Sequence, residues 1–429
     1  MKKRLTRGEK WLFASPLFFL VIAGAFWQWR EKAPVELVMP DDSEVTSLEF
    51  SPDGKRLAVV LKRTTIVMGI LSYLNTNLSG AVYDLKSRSL VCSLSPDFSA
   101  ANGGRVPTMC IVFNAPAWSP DGNRIAASMV TSVIPPANKF VGRFKVWDVS
   151  DGRTQSEHSF QLNSFWPSGK LRFSSDGQTL IGGDIPASHF DVWTGKRLNQ
   201  PDKSFGKSFS KWSEPLGLVA SRRADAEDFR VVDLKTKRVI WKPPVKNAAQ
   251  FDWYGDWLCV KDVIPSVGQC PVVNRLLLWN GRTRQPLPSP PLPAGVEIKS
   301  FSFNPAGKTL FYSYGQWTKT GYQAAVAAWD YHANRVVWRN ENMPETLINL
   351  QPSPDGKWVM ALDSLGNDSN SGYILYVFDG TGKILFKYGA IGYATRWSSD
   401  SKQLATVMSE TDSSGKSVFN RIIIHRLGG

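Results

Sequence analysis

The sequence predicts an all-β fold: a β-propeller of about eight four-stranded blades, preceded by one N-terminal transmembrane helix. Three observations predict it. A tight turn of the form Ser-Pro-Asp-Gly recurs between an aromatic-ended strand and an apolar strand. After each copy comes another apolar strand, often ending in an aromatic residue plus Asp. Residues 1–33 hold a basic tail and one uninterrupted apolar run, which sets them apart from the repeats of 34–429.

The apolar run comes first in the chain. Residues 11–29 read WLFASPLFFLVIAGAFWQW, without a charge. As a helix they would be about 28 Å long, close to the hydrocarbon thickness of a bilayer. Trp11, Trp27 and Trp29 stand at its ends, where indole rings favour the membrane–water interface. Five basic residues precede it, which keeps the N-terminus cytoplasmic and exports the remainder. Ala23-Gly24-Ala25 also fits a signal-peptide cleavage site after Ala25, in which case the chain is secreted. The run continues past that site and ends in two Trp residues, which favours the uncleaved anchor. Both readings place the propeller outside the cytoplasm.

Export bears on the four cysteines. Cys92 and Cys110 bracket one segment and Cys259 and Cys270 another. Sequence neighbours are the natural disulfide pairs in an oxidising compartment, and four buried free thiols are the other reading. No Cys-x-x-Cys supports a zinc ribbon.

The repeats follow. The turn motif reads LEFSPDGKRLAVV at 48–60, PAWSPDGNRIAAS at 116–128 and LRFSSDGQTLIGG at 171–183. It returns as FSFNPAGKTLFYS at 301–313, LQPSPDGKWVMAL at 350–362 and TRWSSDSKQLATV at 395–407, with degenerate copies at 210–222 and 249–261. Pro presets the first turn angle, Asp caps the turn and Gly takes the positive φ. The flanking strands are rich in β-branched and aromatic residues. Each unit therefore supplies two hairpins, whose combined sheet can bury both faces only between neighbours. The eighth unit has three evident strands, and PVELVMP at 34–40 is a spare strand that can complete it. Seven blades result if one degenerate copy is a loop.

These turns, with the Trp147-Asp148 and Trp329-Asp330 dipeptides, resemble the bacterial WD-repeat and Tol-system-like propeller repeat over nearly all of 34–429. A weaker similarity is to quinoprotein-type repeats, as in VVDLKTKRVIWK. The resemblance implies a propeller and says little about function. No blade carries the Gly-His pair of the eukaryotic form, so that form's buried polar network is not implied.

In such a blade the first and third turns share one face of the disc. The second turns and the inter-blade connections share the other. Here the first and third turns are tight, and the long connections (61–80, 93–113, 129–142, 260–273, 314–323, 363–372 and 408–419) all fall on the second face. Repeat proteins place insertions on their binding side. The candidate contacts there are Tyr73, Asn75, Asn102, Phe140, Trp317, Tyr322 and Asn367. The Pro-rich segment 286–293 reads as a stiff connector between blades.

Catalytic chemistry is harder to find. The chain has no Gly-x-Ser-x-Gly elbow, no phosphate loop and no calcium loop. His158, His189, His332 and His425 fall in different blades, which opposes a shared metal site. Asp53, Asp121, Asp176 and Asp355 recur at one turn position and read as turn-formers. No cofactor is expected. The formal net charge is +14, of which residues 1–32 supply +5. The remaining basic residues are scattered, which opposes a nucleic-acid partner. The reading is a membrane-anchored, extracytoplasmic scaffold, held by residues 11–29, that binds a protein or glycan on its loop-rich face. The alternative is an enzyme with a cofactor or metal in the central channel.

Overall fold

The structure, a computed structural model, describes residues 34–40, 43–67, 73–94, 111–113, 116–132, 140–162, 171–182, 188–198, 208–213, 215–223, 229–236, 238–264, 273–293, 295–319, 321–343, 347–364, 373–411 and 417–427. No helix among them is long and apolar enough to cross a membrane. The apolar run 11–29 lies outside the described residues.

The fold is built from its turns. Ser51 Oγ donates to Asp53 Oδ1 at 2.6 Å, and the Arg56 amide donates back to Ser51 Oγ at 2.9 Å. The Lys55 amide reaches Asp53 Oδ1, and Gly54, at φ +68°, closes the turn onto the Ser51 carbonyl. The same bonds recur at Ser119/Asp121, Ser174/Asp176, Ser353/Asp355 and Ser398/Asp400. Asn304 takes the capping role in the 301–313 copy. Each turn fixes a hairpin register, so the strands on either side pair without slippage.

The hairpins assemble into eight antiparallel blades. Blade 1 holds Glu44–Phe50, Arg56–Val67, Tyr73–Asp84 and Ser89–Leu94. In blade 2, Ile111–Phe113 and Ala117–Trp118 share the innermost place, followed by Arg124–Ser132, Phe140–Asp148 and Thr154–Leu162. Among the described residues, blade 3 holds Arg172–Phe173, Thr179–Gly182, Ser188–Asp191 and a single bridge from Phe190 to Arg197. Blades 4, 5 and 6 start at Ser208, Ala248 and Glu297, and each has four strands. Blades 7 and 8 form one seven-stranded sheet because the long strand Ile384–Trp397 ends the first and begins the second. The degenerate copies at 210–222 and 249–261 are therefore true blades.

Closure uses the spare strand. Val35–Val38 pairs antiparallel with Ser417–Arg426, in the register Val35 to Ile424 and Val38 to Arg421. The first segment of the propeller thus becomes the outer strand of its last blade. Val35, Leu37, Ile422 and Ile424 pack with Leu48, Phe50, Leu57 and Val59 of blade 1 in one buried cluster.

The cores lie between blades. Leu57 and Val59 face blade 8, while Ala58 joins Trp118, Ile125 and Trp147 of blade 2. Alternate residues of one strand thus bury opposite faces, which explains the unbroken apolar run of 57–61. Similar clusters join blades 2 to 3, 4 to 5, 5 to 6, 6 to 7 and 7 to 8.

The second face departs from the expectation of loops. Within segments 61–80, 314–323 and 408–419, residues 61–67 pair with 73–79, 314–318 with 321–325 and 408–411 with 417–421, well past the blade body. Two strands satisfy each other's backbone groups without help from a neighbouring blade, so length alone does not make a loop. The Pro-rich segment behaves as a connector. Pro286–Leu287 is the outer strand of blade 5, and the Pro291 carbonyl accepts from Arg339 of blade 6.

Candidate functional site

The tight-turn face is committed to holding itself together. Besides the first-turn carboxylates, Asp84 accepts bonds from the Lys86 and Ser87 amides and from Ser87 Oγ. Asp148, Asp191, Asp233, Asp330 and Asp379 do the same in their blades, and Asn280 in blade 5. The hydroxyl of Ser119 holds Asp121 below the usual carboxylate range, and the Ser87 amide does so for Asp84. Such carboxylates stay ionised acceptors and make poor general acids.

The innermost strands surround the axis. By register, Glu49, Ala117, Arg172, Lys211, Asp252, Ser302, Gln351 and Arg396 occupy equivalent places, one per blade. Arg396 Nε reaches Glu49 Oε2 at 2.6 Å across the closure, and Lys211 lies 4.0 Å from Asp252 across blades 4 and 5. Burial raises the Asp252 carboxyl, against the lowering pull of Lys211. Its side chain is 45% exposed, so it reaches water. The two carboxylates belong to blades 1 and 5, on opposite sides of the axis. Each has a cation beside it, and no histidine joins them.

The four histidines stay apart, as their spacing predicts. His158 bonds the Trp193 carbonyl, His189 lies on a strand of blade 3, and His332 packs edge-on to Trp257. His425 is buried against Phe386, and burial lowers it to about 4. Among the described residues no group of three His, Cys, Asp or Glu could hold a metal ion.

On the long-hairpin face, blade 6 carries the best-defined feature. Strands Thr309–Thr318 and Gly321–Asp330 pair along their whole length, and Trp317 sits directly opposite Tyr322. The rings meet edge-on, with centroids 5.2 Å apart. The hydroxyl end of Tyr322 covers Gly315, where an added Cβ would come 2.1 Å from the hydroxyl. Trp317 stands on that platform with 82% of its surface exposed. A large aromatic held out on a braced hairpin loses little conformational freedom when a partner covers it.

The other candidates are less defined. Tyr73 and Asn75 sit on a blade 1 strand beyond the blade body, paired with Val67 and Thr65. Phe140 begins a strand of blade 2, opposite Ser132 and Leu162. All three thus fall on the same face as Trp317. Asn102 and Asn367 lie outside the described residues. Cys92 and Cys259 are buried free thiols, and Cys110 and Cys270 lie outside the described residues.

No family model and no curated protein matches the sequence. Solved structures do. The Dos1 propeller matches with a TM-score of 0.54 at 14% identity, over 92% of this chain and 96% of that one. The C-terminal WD40 domain of Sif2 gives 0.48 at 13% identity, over 92% and 99%. A chain of a mitotic checkpoint complex gives 0.42 at 14%, over 78% and 97%. The chain is a β-propeller.

The propeller's axial residues escaped the sequence reading. The signal was present in the position just before each strand-ending aromatic, which is charged in Glu49, Arg172, Lys211, Asp252 and Arg396. Read down the repeats, that column marks one equivalent place on the innermost strand of each blade.

Proposed function

We propose that this propeller is a membrane-tethered, extracytoplasmic scaffold that binds a protein partner on its long-hairpin face, without turnover. The exposure of Trp317 on its Tyr322 platform carries this reading. Exposed rigid aromatics on a projecting hairpin suit a protein interface, where Trp and Tyr contribute most per residue. The carboxylates of the opposite face are used in turns, which favours binding over catalysis. The uncharged run 11–29, with its basic flank, supports tethering and export. The Ser-Pro-Asp-Gly turns support kinship with bacterial envelope propellers.

Affinity capture of the full-length protein from crosslinked membranes tests this. One stoichiometric protein partner should be recovered, and Trp317→Ala should reduce it at least several-fold. A partner retained undiminished by Trp317→Ala would move the interface elsewhere. Recovery of a bound glycan in place of a protein would overturn the partner class. A disulfide-dependent phosphatase fused after Gly429 should be active, and a fusion that is made in full but stays inactive would refute export.

A further inference from the structure

We infer that the tight-turn face lies against the anionic surface of the bilayer, so that the long hairpins point away from it. The inference rests on the tethering reading above and adds an orientation and a second contact surface.

The closure strand carries the argument. Arg426 pairs with Gln403, the first strand residue after the turn at 398–402, so the Arg426 end of blade 8 belongs to the tight-turn face. Val35 pairs with Ile424 and Val38 with Arg421. The chain therefore enters the propeller close to the tight-turn face and runs away from it. Five residues, 30–34, separate Trp29 from Val35. Fully extended, that link reaches about 20 Å.

Distance then excludes the opposite orientation. The seven-residue strand Glu44–Phe50 spans about 23 Å, roughly the thickness of the blade body. The twelve-residue strands Arg56–Val67 and Tyr73–Asp84 run about 40 Å and overshoot the body on the far face. A membrane on that side would lie about twice the link's reach from Val35. On the tight-turn side it lies within reach.

The charge layout of that face fits phospholipid headgroups. In four of five ion pairs there the cation is more exposed than its carboxylate, the exception being Arg124 at 12% against Asp121 at 50%. Side-chain exposure is 78% for Lys55 against 54% for Asp53, and 86% for Arg153 against 44% for Asp151. It is 73% for Lys357 against 33% for Asp355, and 59% for Arg282 against 32% for Asp256. At those four pairs an approaching surface meets the cation first, and such cations attract anionic lipid within a Debye length. Lys402, in the first turn of blade 8, stands exposed in the same layer.

Lysine footprinting of the full-length protein tests the orientation. The protein is reconstituted into phosphatidylcholine–phosphatidylglycerol vesicles and labelled with an amine-reactive reagent, with the detergent-solubilised protein as reference. Lys319, at the tip of the blade 6 hairpin, serves as the internal standard. Labelling of Lys55, Lys357 and Lys402 relative to Lys319 should fall by roughly five-fold in vesicles, because the headgroup surface shields one side. If the protein floats with the vesicles and these ratios hold or rise, the orientation is wrong and the tether stands. If it does not float with them, the tethering reading fails and takes the orientation with it.

Discussion

Arg396 and Glu49 are 347 positions apart in sequence, yet the guanidinium of one binds the carboxylate of the other through both Nε and Nη2. This pair sits where the ring closes. Beside it, Ser399 Oγ donates to the Pro52 carbonyl and Gln403 Nε2 to the Gly54 carbonyl. The last blade therefore grips the first by side chains near the axis as well as by the pairing of Val35–Val38 on the rim.

Both side chains of the pair are about three-quarters buried, at 23% and 26% exposure. Removing either leaves a partly buried charge unpaired. Arg396→Ala or Glu49→Ala should each cost about 1–3 kcal/mol, and the double variant less than their sum. Urea denaturation of the full double-mutant cycle checks this. A coupling near zero would make the contact incidental to closure.

The rim clasp gives a sharper contrast. Leu37 is 4% exposed in the closure cluster, whereas its neighbour Val38 is 60% exposed. Leu37→Ala should cost about 2–4 kcal/mol through the cavity it leaves. Val38→Ala, on the solvent side of the same strand, should stay within about 0.5 kcal/mol. Thermal melts of the two variants decide between a clasp that is part of the core and one that only covers an edge.

The fold was legible because its turns carry their own chemistry. Ser51, Asp53 and Gly54 form a hydrogen-bonded unit whose parts are all local, so sequence spacing suffices to find each copy. The closure strand could be anticipated for a related reason: an eighth unit short by one strand leaves an edge, and 34–40 had no other partner. The innermost column was legible in most blades but not in blade 5. Aligning the blade 5 turn on Gly255 puts Phe251 in the place of Phe50, but that turn is two residues shorter, and register gives the place to Trp253. Asp252 thereby moves to the axis. The platform under Trp317 was also hidden, because it depends on Gly315 leaving room across the hairpin, a relation that no local pattern encodes.

That relation makes a prediction about the candidate interface. Trp317→Ala should leave stability within about 0.5 kcal/mol, since the ring is already in water. Trp329→Ala, fully buried in blade 6, should cost about 3–5 kcal/mol. Gly315→Ala should displace the Tyr322 ring and loosen Trp317 without unfolding the blade. Fluorine NMR of the protein labelled with 5-fluorotryptophan, with the Trp317 resonance assigned by Trp317→Phe, would register that loosening as a narrower line, and an unchanged line would show that the platform does not brace it.

The turn carboxylates predict a common acid limit. Asp121 is held below 3.8 by the Ser119 hydroxyl, with the Asn123 amide adding to it. Its folded value lies below its unfolded one, so its contribution is complete above the unfolded pKa and is lost as pH falls through the folded value. Asp121→Asn keeps an acceptor for the amide and should cost less than Asp121→Ala, which should cost about 1–2 kcal/mol. Urea midpoints at neutral pH give the ranking, and repeating them below pH 3.8 should narrow the gap between wild type and Asp121→Asn.

His425 governs a different window. It lies on the third strand of blade 8, 7% exposed, stacked on Phe386 at 4.8 Å and edge-on to Tyr388 at 5.1 Å. Burial lowers its pKa from 6.5 to about 4. The unfolded chain therefore takes up the proton first as pH drops. Stability from this site is intact above pH 6.5, is lost between 6.5 and 4, and changes no further below that. The full loss is roughly 3 kcal/mol at 1.36 kcal/mol per unit. Urea midpoints measured from pH 7 to pH 4 should fall steeply in wild type and stay nearly flat in His425→Gln, with His425→Leu as a second variant if Gln destabilises the core. The same slope in wild type and both variants would assign the acid sensitivity of this window to another group.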